Sequence, residues 1–205
     1  YPDNKADQLA PITAIALYDE FKELTPPGEK GDEMIRRLAD RLVDVDLLDR
    51  AAALLQGQVE FRLEGVQKAR VGAQLALVHI LAREYEQAIN ALDGSDGPDL
   101  PEELVAQRRH LRARSLMGEV RNEDALALIK DDKSLDADLL RLEMFWADQD
   151  WVQASLTLSR MLRAYEAKPN MPLDDIKGRI VLNQAIAMTL SANERGIDRL
   201  RRDYS

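Results

Sequence analysis

Ala14-Ile-Ala-Leu-Tyr18, Ala51-Ala-Ala-Leu-Leu55, Ala88-Ile-Asn-Ala-Leu92 and Ala125-Leu-Ala-Leu-Ile129 repeat one pattern, a small residue followed four positions later by a large apolar one. Successive copies stand 37 residues apart, and a further copy, Ala154-Ser-Leu-Thr-Leu158, follows after 29. Twelve residues ahead of the later copies lies another small or apolar position, Ala39, Ala76, Ala113 and Leu142 in turn. Twelve residues accommodate the end of one helix, a tight turn and the first turn of the next. The repeating unit is therefore expected to be a helix hairpin. Small residues at facing positions let two helices approach closely, and the large apolar ones form a stripe for the neighbouring hairpin. One hairpin cannot bury that stripe by itself, so stacking is what would stabilise the array.

Breakers fall where this scheme needs them. Pro26-Pro27-Gly28, Asp93-Gly-Ser-Asp-Gly-Pro-Asp-Leu-Pro101 and Lys168-Pro-Asn-Met-Pro172 separate hairpins, whereas 44–46, 83–84, 118–122 and 148–150 mark turns within them. Pro11 and Pro101 suit the first turn of a helix, where a missing N–H costs least. Helices are expected at 11–24, 32–44, 47–62, 68–82, 85–93, 102–117, 122–130, 135–147, 150–166, 174–191 and 194–203, with no strand. The chain thus reads as a single all-α domain over 1–205, with hairpins at 32–62, 68–93, 102–130, 135–166 and 174–203. The segment 11–24 would be the second helix of a preceding unit.

The pattern resembles the tetratricopeptide repeat, a helix-turn-helix unit with a period of about 34 residues. Leu75-Ala76, Tyr85-Glu-Gln-Ala88 with Leu92, Trp151-Val-Gln-Ala154 with Leu158, and Ala14 with Tyr18 and Pro26 carry the resemblance, which covers most of the chain. The departures are a longer period, Gln58 and Ser95 where Ala is preferred, and Arg109 and Arg112 where large apolar residues are usual. The runs at 17–28, 31–42 and 46–52 also resemble a stretch of large uncharacterised bacterial tetratricopeptide proteins, which implies a longer parent chain and supplies no activity. The fold implied is a right-handed α-solenoid.

Composition agrees with a folded domain and excludes several classes. Of 205 residues 45% are hydrophobic, 32% charged and 5% aromatic, which is neither a disordered tail nor, with no Cys, a disulfide-stapled module. Twenty-eight basic against 37 acidic side chains leave a net charge of −9, a poor footprint for nucleic acid or anionic lipid. The longest nearly apolar stretch, 75–82, is interrupted by His79 and falls far short of the roughly twenty residues of a membrane span. The chain opens at Tyr1 without a Met or a basic-then-apolar leader and closes on a charged helical pattern at 200–203. A fragment of a longer chain is the expectation, with any targeting signal outside it and with cytoplasm or bacterial cell envelope both compatible with the lack of Cys.

No phosphate-cradling GxxxxGK[ST] loop, GxGxxG, HExxH or GxSxG occurs, and two His without Cys do not make a closed zinc site. No enzyme activity, metal or cofactor is expected. His79, in its apolar run, reads as a packed imidazole with a backbone partner more readily than as a general base. His110 lies in Gln107-Arg-Arg-His-Leu-Arg-Ala-Arg114, where a phosphate or acidic-peptide site and a solvated face paired with Glu102 and Glu103 are equally supported. The doublets Asp19-Glu20, Glu102-Glu103, Asp131-Asp132 and Asp174-Asp175 point about 100° apart on a helix and read as first-turn or solubilising charges. Asp93, Asp96 and Asp99 lack the ligand pattern of a calcium loop. Trp151 reads as core, and Trp146 is open between core and binding platform.

The tetratricopeptide resemblance implies that first helices line a concave wall. Mapped here, that wall holds Arg36, Asp40 and Val43; Ala73, Leu77 and Ile80; His110, Arg114 and Met117; Leu139, Glu143 and Trp146. An apolar centre beside His110 and Arg114 would suit a protein or peptide segment with an apolar anchor and some acidic character. A clamp for a C-terminal carboxylate would need Lys and Asn where Arg36 and Asp40 stand, and Asn in place of Leu77, so that version is not supported. The expected function is a non-catalytic interaction scaffold, with self-association as a further expectation. Two alternatives stay open: a helical enzyme or small-ligand regulator using His79, His110 and the cluster from Arg108 to Arg114, and an architectural spacer or oligomerisation segment.

Overall fold

The computed structural model describes residues 10–21, Pro26 and residues 28–204. Among them are eleven helices and no strand: α1 (Pro11–Phe21), α2 (Glu29–Asp44), α3 (Leu48–Phe61), α4 (Gly65–Leu81), α5 (Tyr85–Gly94), α6 (Glu102–Gly118), α7 (Asn122–Leu128), α8 (Leu135–Ala147), α9 (Trp151–Ala164), α10 (Asp175–Leu190) and α11 (Glu194–Tyr204). The chain is all-α, as its periodicity requires. The expected end of the first helix, 22–24, and Pro27 lie outside the described residues. No described helix is long and apolar enough to cross a membrane.

Two compact units make up the chain, Tyr1–Val120 and Arg121–Ser205. In the first, each helix from α1 to α6 packs on the next, and α4 also packs on α6. Its core gathers Ala39, Ala51, Leu55, Leu75, Ala76, Ala88 and Leu92, all withdrawn from water. In the second unit α8 packs on α9, α9 on α10 and α10 on α11, around Ala154, Leu158, Leu162 and Ala187. The repeat alanines Ala51, Ala88, Ala125 and Ala154 are 0% exposed, as are Ala39, Ala76 and Ala113, whereas Ala14 of the first copy and Leu142 ahead of the last are half-buried. A methyl group at these positions leaves room for the partner helix, and burial follows from that closeness.

The turns repeat with the alanines. Asp46, Arg83, Val120 and Gln149 adopt left-handed backbone, with φ of 61°, 62°, 60° and 57°, and each stands five residues ahead of a buried alanine. Their N–H groups donate to Val43, Ile80, Met117 and Trp146 carbonyls, closing the preceding helix. Ala192, φ 54°, ends α10 in the same way, but the residue five positions on is Ile197, so the last hairpin carries the turn without the small-residue signal. Three starts carry side-chain caps: Ser134, Asp150 and Asp174 accept the N–H of Ala137, Gln153 and Lys177.

Two starts differ from the sequence expectation by more than one residue. α2 begins at Glu29 and α4 at Gly65, each three residues early. Gly31 sits inside α2, where the helix passes so near the Pro26 carbonyl that a Cβ would lie 1.9 Å from its oxygen. Pro101 stands one position ahead of the first turn, as the N-cap of α6 with ψ 141°.

Buried polar side chains tie the hairpins. Asp32 of α2 accepts from Arg62 Nε at 2.7 Å, and its carbonyl accepts from the buried Gln58 at 2.8 Å. Asp138, at the same fourth position of α8, accepts from Arg141 and from Arg160 of α9, each at 2.8 Å. A second device follows from helix length. α3 and α9 have 14 residues, but α5 has 10 and α7 has 7, which leaves carbonyls exposed at a premature end. The seventh residue of the following helix is then an arginine. Arg108 donates to the Leu92 carbonyl at 2.5 Å and the Ala69 carbonyl at 2.7 Å, and Arg141 donates to the carbonyls of Ile129, Lys130 and Asp132. After the full-length α3 and α9 the seventh residues are Val71 and Val181.

Candidate functional site

The residues assigned to a binding wall fall on two units. Arg36 and Asp40 stand on α2, Leu77 and Ile80 on α4, and His110, Arg114 and Met117 on α6, all in the first unit. Gln74 of α4 donates to Asp40 of α2, and α4 packs directly on α6, so these three first helices are neighbours in that order. Leu77 is 44% exposed, Ile80 and Met117 are half-buried, and Ala73 is buried. Glu143 and Trp146 stand on α8 in the second unit. Glu143 is exposed, whereas Trp146 is half-buried in the core and meets Trp151 edge to face, with ring centroids 5.3 Å apart.

Charge on this wall is organised locally. Arg36 and Arg37 both donate to Glu33, at 2.8 and 2.9 Å, and these hydrogen bonds hold its carboxyl below the ordinary range. Asp40 moves the other way: burial raises its carboxyl above the ordinary range, the negative Asp44 and Glu33 add to this, and the Gln74 N–H and Arg36 oppose it.

The side chains considered for chemistry are spent on structure. His79 has a side-chain partner in place of the expected backbone one: its Nδ1 lies 2.7 Å from Glu84 Oε2, while the Glu84 N–H donates to the His79 carbonyl at 2.8 Å. Imidazole and carboxylate together close the turn between α4 and α5. Arg108, expected on a solvated or phosphate-binding face, is 7% exposed and committed to two carbonyls and the Ser95 hydroxyl. Burial lowers the pKa of its guanidinium, Asp96 at 3.6 Å counteracts this, and it cannot join Arg114 around an external anion. Arg112 pairs with Asp93 rather than with Glu102 or Glu103. Asp93 and Asp96 thus serve as ion-pair acceptors, and no metal-binding group of three or more His, Cys, Asp or Glu occurs among the described residues.

A concavity of another kind lies in the second unit. α9, α10 and α11 enclose a cleft of about 500 Å³ whose lining includes Arg163, Gln184, Arg195 and Arg199. The sequence pattern does not reveal it, because its arginines come from separate helices and the hairpin that closes it lacks the small-residue notch. The one available signal is Gln184, which with its neighbour Asn183 interrupts the apolar run at 180–188. Neither His79 nor His110 lines this cleft. No family model, curated protein or solved structure matches the chain.

Proposed function

We propose that the hairpins of each unit stack as tetratricopeptide-like repeats of a right-handed α-solenoid, and that the first unit is a non-catalytic module capturing a protein or peptide segment on α2, α4 and α6. The observation that carries this reading is the side-by-side order of those helices with Leu77 exposed on the middle one. Leu77, Ile80 and Met117 offer apolar contact, and His110 and Arg114 favour acidic groups beside the anchor. Pairing within the wall does not remove this preference, since a rim charge steers a partner by its field.

Leu77→Asp combined with Arg114→Glu is expected to weaken binding to an immobilised library of acidic, leucine-bearing peptides by about tenfold or more, a loss of roughly 1.4 kcal/mol. Helical circular dichroism should stay unchanged, because Leu77 and Arg114 are both exposed. Equal binding by the variant and the parent chain would defeat the proposal. A spacer or self-association role is a second reading, favoured by Leu182, Ile186 and Leu190, exposed at intervals of four along α10. Light scattering that gives the 23.1 kDa of one chain counts against it.

A further inference from the structure

The geometry points to a second site, independent of the peptide-binding reading: the cleft between α9, α10 and α11 binds a phosphate monoester, a dianion carried on a small and partly apolar body. A volume of about 500 Å³ suits a small organic ligand. Leu162 and Met188 contribute apolar lining, and the polar side is cationic. Arg163 comes from the end of α9, Arg195 and Arg199 from α11; all three are exposed, and none forms an ion pair or side-chain hydrogen bond with another described residue. Arg141 and Arg160 of the same unit are instead consumed by Asp138. Against the three cations the lining holds one carboxylate, Asp203, so the excess of positive charge matches a phosphate monoester, which carries about −1.5 to −2 at neutral pH. The guanidinium fork fits a tetrahedral oxyanion in bidentate fashion.

Two further features converge on the same space. The first turn of α11 borders the cleft through Arg195 and Gly196; the Gly196 N–H is held by Asn193 Oδ1, so that turn contributes its dipole and not a free donor. Gln184 lines the same cleft. It is 4% exposed and its Nε2 donates to Ser159 Oγ at 2.6 Å, while its Oε1 is withdrawn from water with no donor.

Titration calorimetry on the 205-residue chain with phenyl phosphate, inorganic phosphate and phthalate tests the site. Phenyl phosphate is expected to bind one to one and more tightly than either, the first comparison reading the apolar body and the second the phosphate. Arg195→Gln with Arg199→Gln should weaken it at least about tenfold, and Arg163→Gln, on the other wall, should weaken it in the same direction. Arg201→Gln, an exposed position of α11 outside the lining, should leave affinity within about twofold. Thermal melts of each variant establish that it is folded. The proposal is overturned by absence of binding, by phthalate binding as tightly as phenyl phosphate, or by an equal loss in Arg201→Gln. A phosphotyrosine peptide that binds more tightly than phenyl phosphate would overturn the assignment to a small molecule.

Discussion

Val120 carries the left-handed turn at the greatest local cost. Its φ is 60°, a region in which a side chain crowds the carbonyl, and branching at Cβ worsens the crowding. Asp46, Arg83, Gln149 and Ala192 meet the same geometric demand without β-branching. At 83% exposure the Val120 side chain contributes almost no packing to offset the strain. Val120→Gly should therefore stabilise: relief of about 1–2 kcal/mol of strain, less the roughly 0.5–1 kcal/mol lost to the freer unfolded glycine, leaves a gain of about 1 kcal/mol or less. A thermal melt should rise by a few degrees, about 2–4 °C per kcal/mol for a chain of this length, and a lowered midpoint would contradict the strain argument. Nothing in the sequence marks this residue as a turn position by type. It becomes legible only by its place, five residues before a repeat alanine, because the hydrogen-bond pattern that ends the helix demands the conformation whatever side chain is present.

Helices and their pairing were largely legible for the same reason: burial of one face imposes a period that apolar residues must follow, and α3 to α9 lie within about three residues of their expected bounds. The polar ties between elements were not legible. Ser95 and Gln58 read as departures from a preferred alanine, but each answers a demand created by a neighbour that sequence spacing does not reveal. Ser95 Oγ donates to the Ala91 carbonyl at 2.6 Å and accepts from Arg108 at 3.1 Å, at the end of a helix too short to finish its own turn. Gly72 of α4 makes room for it, since a Cβ there would lie 1.8 Å from that hydroxyl and 2.2 Å from Ser95 Cβ. Gly72→Ala should thus cost about 2–3 kcal/mol by overpacking against a side chain held on both sides. Ser95→Gly removes these two atoms, and the next neighbour is the Ala91 carbonyl, 3.3 Å from the new methyl group. The double variant should consequently lose less than the sum of the single losses, with a coupling of about 1 kcal/mol or more in urea unfolding. Additive losses would mean that the glycine serves backbone freedom and not close approach.

At the scale of the whole chain, averages conceal what the parts do. A net charge of −9 argues against a general anion binder, yet the second unit concentrates three arginines against one aspartate around a single cleft. Composition sums over surfaces that a ligand never samples together, and this is why the cleft escaped a reading based on totals and periods. The same unit holds both tryptophans of the chain, Trp146 and Trp151, half-buried and in contact, so their emission reads the folding of Arg121–Ser205 specifically. Asp138 lies in that unit as the acceptor between Arg141 and Arg160 and is 5% exposed. Asp138→Ala leaves two guanidinium groups facing each other across a buried gap. Arg141 has its carbonyl partners at the end of α7 and stays in place, whereas Arg160, with a side chain 41% exposed, can turn to water. Partial escape sets the expected cost at about 2–4 kcal/mol, below that of breaking a fully buried pair. The urea midpoint followed by tryptophan emission should fall accordingly, and Asp138→Asn, which keeps an acceptor but not the charge, should fall between the two. If Asp138→Ala unfolds within about 0.5 kcal/mol of the parent chain by this probe, the carboxylate does not hold α8 to α9, and packing around Ala154 and Leu158 alone carries the hairpin.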